Sequence, residues 1–396
     1  MLHQSVLDAP MPLFPTNKIV LAPETEAVGI PAQSFSELSD DSEYILFTPS
    51  LDCAVASKVV NAPSIGAVVL TTNEYSDHAR KMLHESGVGL VVHHGETLDK
   101  ANRCIVDGKG LTVLSQRIPI SAICSVLNRR NLATYRRFGV DSLGYFRFKF
   151  CLFQLFSQER QSYFKPERIE EYLYAQLAEL GRQGWISIRC VLSDLTSAEF
   201  AEIGVEVPAE LNPDLGVRGP RIMKQWGPEL AAIRRFQNDF NTTVKICAPF
   251  ISSIEEYGQF VDMVMQAGID RSRAELGFTL EVPALAEELD DLFTSAQVDF
   301  MAIGTSDLFA LFNGVCRSNQ ALSVQPSSKA NVRLLRRIVA CAREHGVHTL
   351  VCGDVRRNEV LMTELLQAGV GELICSARIK EIIAAFRLSG SERSAP

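Results

Sequence analysis

Residues 299–308 read Asp299-Phe300-Met301-Ala302-Ile303-Gly304-Thr305-Ser306-Asp307-Leu308, an apolar run of strand length that stops at a glycine and passes straight into small polar residues. The same grammar recurs along the chain. Strand-like runs fall at residues 120–126, 143–148, 185–191, 244–250, 276–282, 299–304, 348–352 and 371–376, and amphipathic helical segments such as 166–183, 253–267, 329–345 and 358–368 separate them. Eight such repeats over about 270 residues predict a closed (β/α)8 TIM barrel, in which chemistry collects at the C-terminal ends of the strands. Outward from it toward the N-terminus, Tyr44-Ile45-Leu46-Phe47, a helix over 52–60, a strand over 66–70, a helix over 78–86 and a strand over 88–92 make a smaller α/β unit. Residues 95–118 add a helix-like segment and the strand-like Leu111-Thr112-Val113-Leu114, introduced by the turn signal Asp107-Gly108-Lys109-Gly110. The expected domains are 16–117 and 118–388, with a loose tail from Ser389 onward.

The 396 residues, 46% apolar and 22% charged, supply ample core and give no sign of wholesale disorder. Lys plus Arg number 39 against 47 Asp plus Glu, and the net charge of -8 repels nucleic acid and anionic membrane at long range. An anionic ligand therefore needs locally clustered arginines. No signal-like segment opens the chain and no run approaches the roughly 18 apolar residues of a membrane span, so a cytoplasmic protein is expected. Ten scattered cysteines without a CxxC pair speak against zinc ribbons and disulfide frameworks and suit a reducing compartment.

The barrel reading says where to look for function. Arg147 closes the second strand, Arg189 the third and Glu281 the fifth; Asp307 follows the sixth, and Cys352 closes the seventh. Between the third and fourth lies Asn212-Pro213-Asp214-Leu215-Gly216-Val217-Arg218-Gly219-Pro220-Arg221, and Arg317 follows the sixth after a short helical turn. Arginines from separate segments aimed into one mouth suit a small carboxylate and phosphate ligand, because a guanidinium forks onto either anion. Glu281 and Asp307 on neighbouring strands suit a hard divalent cation, and Cys352 would exchange a proton with the ligand. Each residue also has a plainer reading. The arginines could be surface ion-pair partners, Asp307 the N-cap of a helix over 308–312, and Cys352 an inert core thiol.

Several strings together resemble the phosphoenolpyruvate-utilising enzymes, a family that includes phosphoenolpyruvate synthase, pyruvate phosphate dikinase and enzyme I of the sugar phosphotransferase system. They are Asn212-Pro213-x-Leu215-Gly216-x-Arg218-Gly219-x-Arg221, Glu281-Val282-Pro283-Ala284, Ile303-Gly304-Thr305-Ser306-Asp307-Leu308 and Cys352-Gly353. The resemblance implies that Arg147, Arg189, Arg218 and Arg317, with Ser306, grip phosphoenolpyruvate or pyruvate. It further implies that Glu281 and Asp307 hold Mg²⁺ and that Cys352 protonates the enolate carbon. The N-terminal unit resembles the family's swivelling phosphohistidine domain, with His78 in Asp77-His78-Ala79 where the phosphorylated histidine stands. A neutral imidazole at a helix N-terminus can attack phosphorus, and the helix then favours the phosphate received. A homodimer is expected by the same likeness.

Departures are visible too. Asn73 and Glu74 replace the paired glycines before the histidine, and Arg80 and Lys81 stand where small apolar residues are usual. Lys149 replaces an acid after Arg147, Ser306 replaces an Asn, Leu211 stands where an acid is usual, and Cys190-Val191-Leu192-Ser193-Asp194 lacks the glycine-rich, Lys-containing loop. No ATP-grasp or helical carrier-binding domain is seen, so a separate protein is expected to donate or accept the phosphoryl group. Three readings result: phosphoryl transfer through His78, Mg²⁺-assisted pyruvate-enolate chemistry in the barrel alone, and a non-catalytic metabolite-binding or regulatory relative.

Overall fold

The computed structural model describes residues 18–385, apart from 22–26, 40–41, 94–97, 99–102, 108–109, 115–118, 125–128, 160–164, 186, 203–206, 209, 213, 241, 318, 320–321, 323–324, 354–357, 379–380 and 383. The chain packs as two compact units. The first comprises residues up to Pro119 together with Arg129–Val140 and those from Ala377 onward; the second comprises Ile120–Asn128 and Asp141–Ser376.

The first unit is built on β1 (Lys18–Leu21), β2 (Ala27–Ala32), β3 (Tyr44–Leu51), β4 (Ile65–Tyr75), β5 (Gly89–Val92), β6 (Arg103–Asp107) and β7 (Gly110–Leu114). They form one sheet in the order β1-β5-β4-β3-β2-β6-β7, with β2, β3, β4 and β5 parallel and the outer strands antiparallel. Period-two alternation along β3 sends Leu46 to one face and Ile45 and Phe47 to the other. The helices Cys53–Val60 and Asp77–Glu85 cover the Leu46 face through Ala56, Val59, Ala79 and Leu83. Asp52 and Ser76 cap them by accepting from Val55 N and Ala79 N. One expectation is corrected here. The stretch before Leu111, read as helix-like, is strand β6 where it is described, and Asp107 pairs with Gly110 across the turn. The β-branched Ile105 and Val106 favour a strand, and pairing with both β2 and β7 buries Cys104, Ile105 and Val106 completely.

The second unit is the barrel. Its strands are β8 (Ile120–Cys124), β9 (Ser142–Arg147), β10 (Ser187–Val191), β11 (Val244–Ala248), β12 (Ala274–Leu280), β13 (Phe300–Gly304), β14 (His348–Cys352) and β15 (Glu372–Cys375). All pairings are parallel and β15 closes onto β8. The eight strands therefore follow the eight apolar runs of the sequence. Residues from alternating positions of these strands, including Tyr145, Val191, Cys247, Phe300, Leu350, Cys352 and Ile374, form one buried cluster. Burying each large apolar side chain contributes roughly 1.5–3 kcal/mol. The outer helices start where the sequence supplies a cap. Ser253 accepts from Glu256 N, Ser328 from Asn331 N and Asn358 from Leu361 N. Among the described residues no helix is long and apolar enough to cross a membrane.

Candidate functional site

At the C-terminal ends of the barrel strands opens a cleft of about 480 Å³. Arg147 reaches it from the end of β9, Glu281 from just after β12, Ser306 and Asp307 from the helix that follows β13, and Cys352 from the end of β14. Arg218 and Arg317 enter from the connections after β10 and β13. Each strand stops where its apolar pattern stops, so the first polar residues beyond it project into the mouth. The helix after β13 spans Thr305–Phe312 and begins after Gly304. Asp307 is thus inside its first turn and is not an N-cap.

The carboxylates and guanidiniums are interlocked. Asp307 receives Arg317 Nη1 on Oδ2 at 2.8 Å and Arg218 Nη1 on Oδ1 at 3.5 Å. Arg218 also donates from Nη2 to Asp194 at 2.7 Å and from Nη1 to the Asp214 carbonyl at 3.1 Å. Its guanidinium lies 4.1 Å from the ring centre of Phe250. Phe250 is held at φ 56°, a left-handed conformation that a bulky residue rarely adopts, and its N–H donates to Glu281 Oε2 at 3.0 Å. Gly219 makes this packing possible, because a Cβ there would fall 2.7 Å from the Phe250 Cβ and its own φ is 62°. A Cβ on Gly304 would in turn come within 2.5 Å of Glu281 Cγ.

Burial, then the neighbouring Asp307 and Asp194, push the Glu281 carboxyl up to about 8. Burial likewise opposes ionisation of Asp194, yet Lys149 and Arg218 beside it hold its carboxyl below the ordinary range. The cleft is lined by four cationic side chains, Arg147, Lys149, Arg218 and Arg317, by four carboxylates, those of Asp194, Glu199, Asp214 and Asp307, and by the raised carboxyl of Glu281. Glu281 and Asp307 offer the hard oxygen donors that a divalent ion such as Mg²⁺ takes. Among the described residues Arg147 is the cleft cation that forms no salt bridge; it lies over the Tyr145 and Phe150 rings at 5.5 and 5.9 Å.

Cys352 is buried, and its thiol donates to the Tyr145 hydroxyl at 3.4 Å. Tyr145 Oη lies 2.7 Å from Thr279 Oγ1, itself 3.3 Å from Cys247 Sγ. Burial above all drives the Tyr145 phenol well above its ordinary value, so it acts as a neutral hydrogen-bonding group.

Seven residues singled out from the sequence thus meet in one cleft: Arg147, Arg218, Arg317, Ser306, Glu281, Asp307 and Cys352. Arg189 does not line it. It sits inside β10, two residues before the strand ends, fully buried, and its guanidinium meets Glu372 at the start of β15 at 3.2 and 3.3 Å. It also donates to the Gly144 carbonyl at 3.0 Å. Glu372 further receives Ser121 Oγ at 2.5 Å and lies 3.0 Å from His348 Nε2. His78 belongs to the first unit, where it is the exposed second residue of the helix Asp77–Glu85, and Arg80 pairs with Asp77 at 3.5 Å.

Asp194, Glu199, Tyr145 and Thr279 were not singled out beforehand. For Asp194 a signal existed, since it is the first carboxylate after β10, as Asp307 is after β13. Lys149 bonds to Glu199 at 2.7 Å and Asp194 at 3.5 Å. The cation at position 149 is therefore met by acids of the loop after β10 and the helix that follows it. That loop is pinned from below by buried Glu229, which receives Ser193 N at 2.9 Å and the Ser193 hydroxyl, while Trp226 Nε1 donates to the Ser193 carbonyl at 2.8 Å.

Residues 107–388 match the family described as PEP-utilising enzyme, PEP-binding domain. Over 349 residues, 84% of the chain, the sequence is 24% identical to a probable phosphoenolpyruvate synthase of Archaeoglobus fulgidus and covers 45% of it. Over 347 residues, 82% of the chain, it is 29% identical to a multiphosphoryl transfer protein of Xanthomonas campestris pv. campestris and covers 40% of it. The chain spans less than half the length of either relative. Among solved structures, the Haloferax volcanii malate synthase magnesium/glyoxylate complex aligns over 71% of this chain and 77% of its own, with 11% identity and a TM-score of 0.43. With a family match over residues 107–388, most of the chain, the chain belongs to the PEP-utilising enzymes through their PEP-binding domain.

Proposed function

We propose that the barrel binds phosphoenolpyruvate or pyruvate together with Mg²⁺ and that the chain moves a phosphoryl group by way of His78. The observation that carries this reading is the convergence of Arg147, Arg218 and Arg317 with Glu281 and Asp307 on one cleft at the strand ends. Glu281 and Asp307 would hold the ion. When bound it supplies positive charge to the ligand's phosphate and enol oxygens. Arg147 takes an anionic group of the ligand, and Arg218 and Arg317 turn part of their donors from Asp307 toward it. The imidazole of His78 attacks phosphorus, the bond from phosphorus to the enol oxygen breaks, and the electron pair stays with the three-carbon unit. Cys352, aimed by Tyr145, delivers the proton that completes pyruvate. A separate protein donates or accepts the phosphoryl group, and the barrel pairs with a second copy. A reducing, cytoplasmic setting suits ten cysteines that are all free thiols.

The test is intact-mass measurement after incubation with phosphoenolpyruvate and Mg²⁺. The expected result is one acid-labile, alkali-stable phosphoryl group that His78→Ala abolishes. A protein that binds phosphoenolpyruvate calorimetrically yet takes no label at His78 overturns the shuttle. One observation favours a second reading: the Cys352 thiol is hydrogen-bonded to Tyr145 inside the cleft, independently of His78. In that reading the barrel performs pyruvate-enolate chemistry by itself. Exchange of solvent deuterium into the pyruvate methyl group by His78→Ala protein, lost in Cys352→Ala, would establish it. Binding with neither label nor exchange would leave a metabolite-binding regulator.

A further inference from the structure

On the outer shell of the barrel, away from the cleft residues, Asp290, Cys341 and His345 bring one carboxylate oxygen, one thiol sulfur and one imidazole nitrogen within 4.8 Å of one another. Cys341 and His345 stand four positions apart at the end of the helix Lys329–Glu344. The helical pattern persists to His345, whose backbone N–H donates to the Cys341 carbonyl at 3.2 Å. The two side chains therefore share one helix face, the spacing at which a single ion can be chelated from one helix. Asp290 comes from the second residue of the helix Leu289–Ser295, and its Oδ1 lies 2.8 Å from His345 Nε2. The His345 ring also rests against Phe293, with centroids 5.7 Å apart.

From this juxtaposition we propose that Asp290, Cys341 and His345 form a second metal site, one that takes a borderline-soft divalent cation of the Zn²⁺ and Co²⁺ class. A mixed sulfur, nitrogen and oxygen set selects such ions over Mg²⁺ and Ca²⁺, which want oxygen throughout. Donors bound tetrahedrally to one zinc lie about 3.3–3.8 Å apart, given bonds of about 2.0–2.3 Å. The present spacing reaches that with small rotations of side chains that are exposed or half-buried. Nothing about the ion-free arrangement is strong. Asp290 is 78% exposed, so its pairing with His345 contributes little in water. The neighbouring carboxylates of Asp290 and Glu344, after burial, disfavour the Cys341 thiolate, whereas a bound cation reverses that balance. The ion would clip together two outer helices that pack against each other, Leu289–Ser295 and Lys329–Glu344. Three protein donors leave a fourth position for water.

The experiment titrates the full chain with Co²⁺ and follows the thiolate-to-cobalt charge-transfer absorption, then displaces cobalt with Zn²⁺ in competition with a chromophoric chelator. One equivalent of tetrahedral cobalt is expected. The band should vanish in Cys341→Ser, and roughly tenfold or greater loss of Zn²⁺ affinity should follow from Asp290→Asn and from His345→Ala. It should survive in Cys352→Ala and in Cys53→Ser, the thiols of the cleft and of the exposed surface. A thermal midpoint that rises with Zn²⁺ in wild type and not in Asp290→Asn gives a second readout. A band retained in Cys341→Ser, a band lost in Cys352→Ala, or fewer than one cobalt bound per chain overturns the proposal.

Discussion

Replacing Glu372 by Gln leaves the Arg189 guanidinium charged and without its counter-ion in the middle of the barrel. Arg189 is 2% exposed, its Nε has no hydrogen-bond partner among the described residues, and its guanidinium faces the Phe300 ring at 4.6 Å. Removing one member of a buried ion pair costs about 3–5 kcal/mol. Because the Glu372 side chain is 11% exposed and His348 beside it 40%, some water reaches the pair, and the lower end, about 3 kcal/mol, applies. At ~2–4 °C per kcal/mol for a domain of this size, the thermal midpoint should fall by ~6–12 °C. Urea and thermal unfolding followed by circular dichroism measure both quantities. The double replacement Arg189→Met with Glu372→Leu removes both charges at once and should recover at least half of the loss, although the Ser121 hydroxyl then lacks the acceptor that Gln would keep. Calorimetry on the double variant adds the functional arm, in which phosphoenolpyruvate affinity should change by less than about twofold, since Arg189 does not line the cleft. A loss in Glu372→Gln below about 1 kcal/mol would refute the energetic argument. A folded double variant that no longer binds would show that Arg189 reaches the ligand after all.

Arg147→Ala should weaken phosphoenolpyruvate or pyruvate binding roughly 10–100-fold, the worth of one charge-assisted contact of about 1.5–3 kcal/mol, with little change in unfolding free energy; calorimetry and urea melts check the two halves. Gly304→Ala suits the backbone, where φ is -88°, but its Cβ would fall 2.5 Å from Glu281 Cγ and 2.8 Å from Thr279 Cγ2, so calorimetry should show weaker Mg²⁺-dependent ligand binding and urea melts a loss of about 1–3 kcal/mol. Stability should also depend on pH with two opposite slopes. Burial, opposed by the bonds from Ser193, pushes the Glu229 carboxyl up from 4.5 to about 7, so the folded state keeps a proton that the unfolded state has lost, and stability should decline by on the order of 3 kcal/mol as pH rises through 4.5 to 7, then level off. Glu229→Gln should flatten that decline in urea titrations across the same range. Glu372 works the other way. Despite its burial, bonds from His348 and Arg189 hold its carboxyl far below 4.5, so its contribution is present above the ordinary carboxylate range and should be lost as pH falls below it.

The strand pattern was legible because barrel strands are covered on both faces and read as near-continuous apolar runs, each closed by its first polar residue. That rule alone gathers Arg147, Glu281, Asp307 and Cys352, each at or just beyond a strand end. The helix-like reading before Leu111 failed because three-residue apolar runs carry no decisive period, and only the pairing of β6 with β2 and β7 makes Cys104-Ile105-Val106 a strand. Arg189 shows the limit of the strand-end rule. It closes an apolar run on paper, yet its strand continues two residues further, and at that depth the barrel interior offers Glu372 as a partner.

From its linear order alone the chain declares eight strand and helix repeats, a smaller α/β unit before them, and a set of arginines and acids placed where strands end. Apolar periodicity is a local property, which is why these features survive without coordinates. Which charges face one another is decided only by closure of the barrel. Asp307 lies between Arg218 and Arg317, Lys149 between Asp194 and Glu199, and Arg189 against Glu372, 183 residues away. Coulomb energy depends on separation in space and on burial, and neither is encoded by position along the chain.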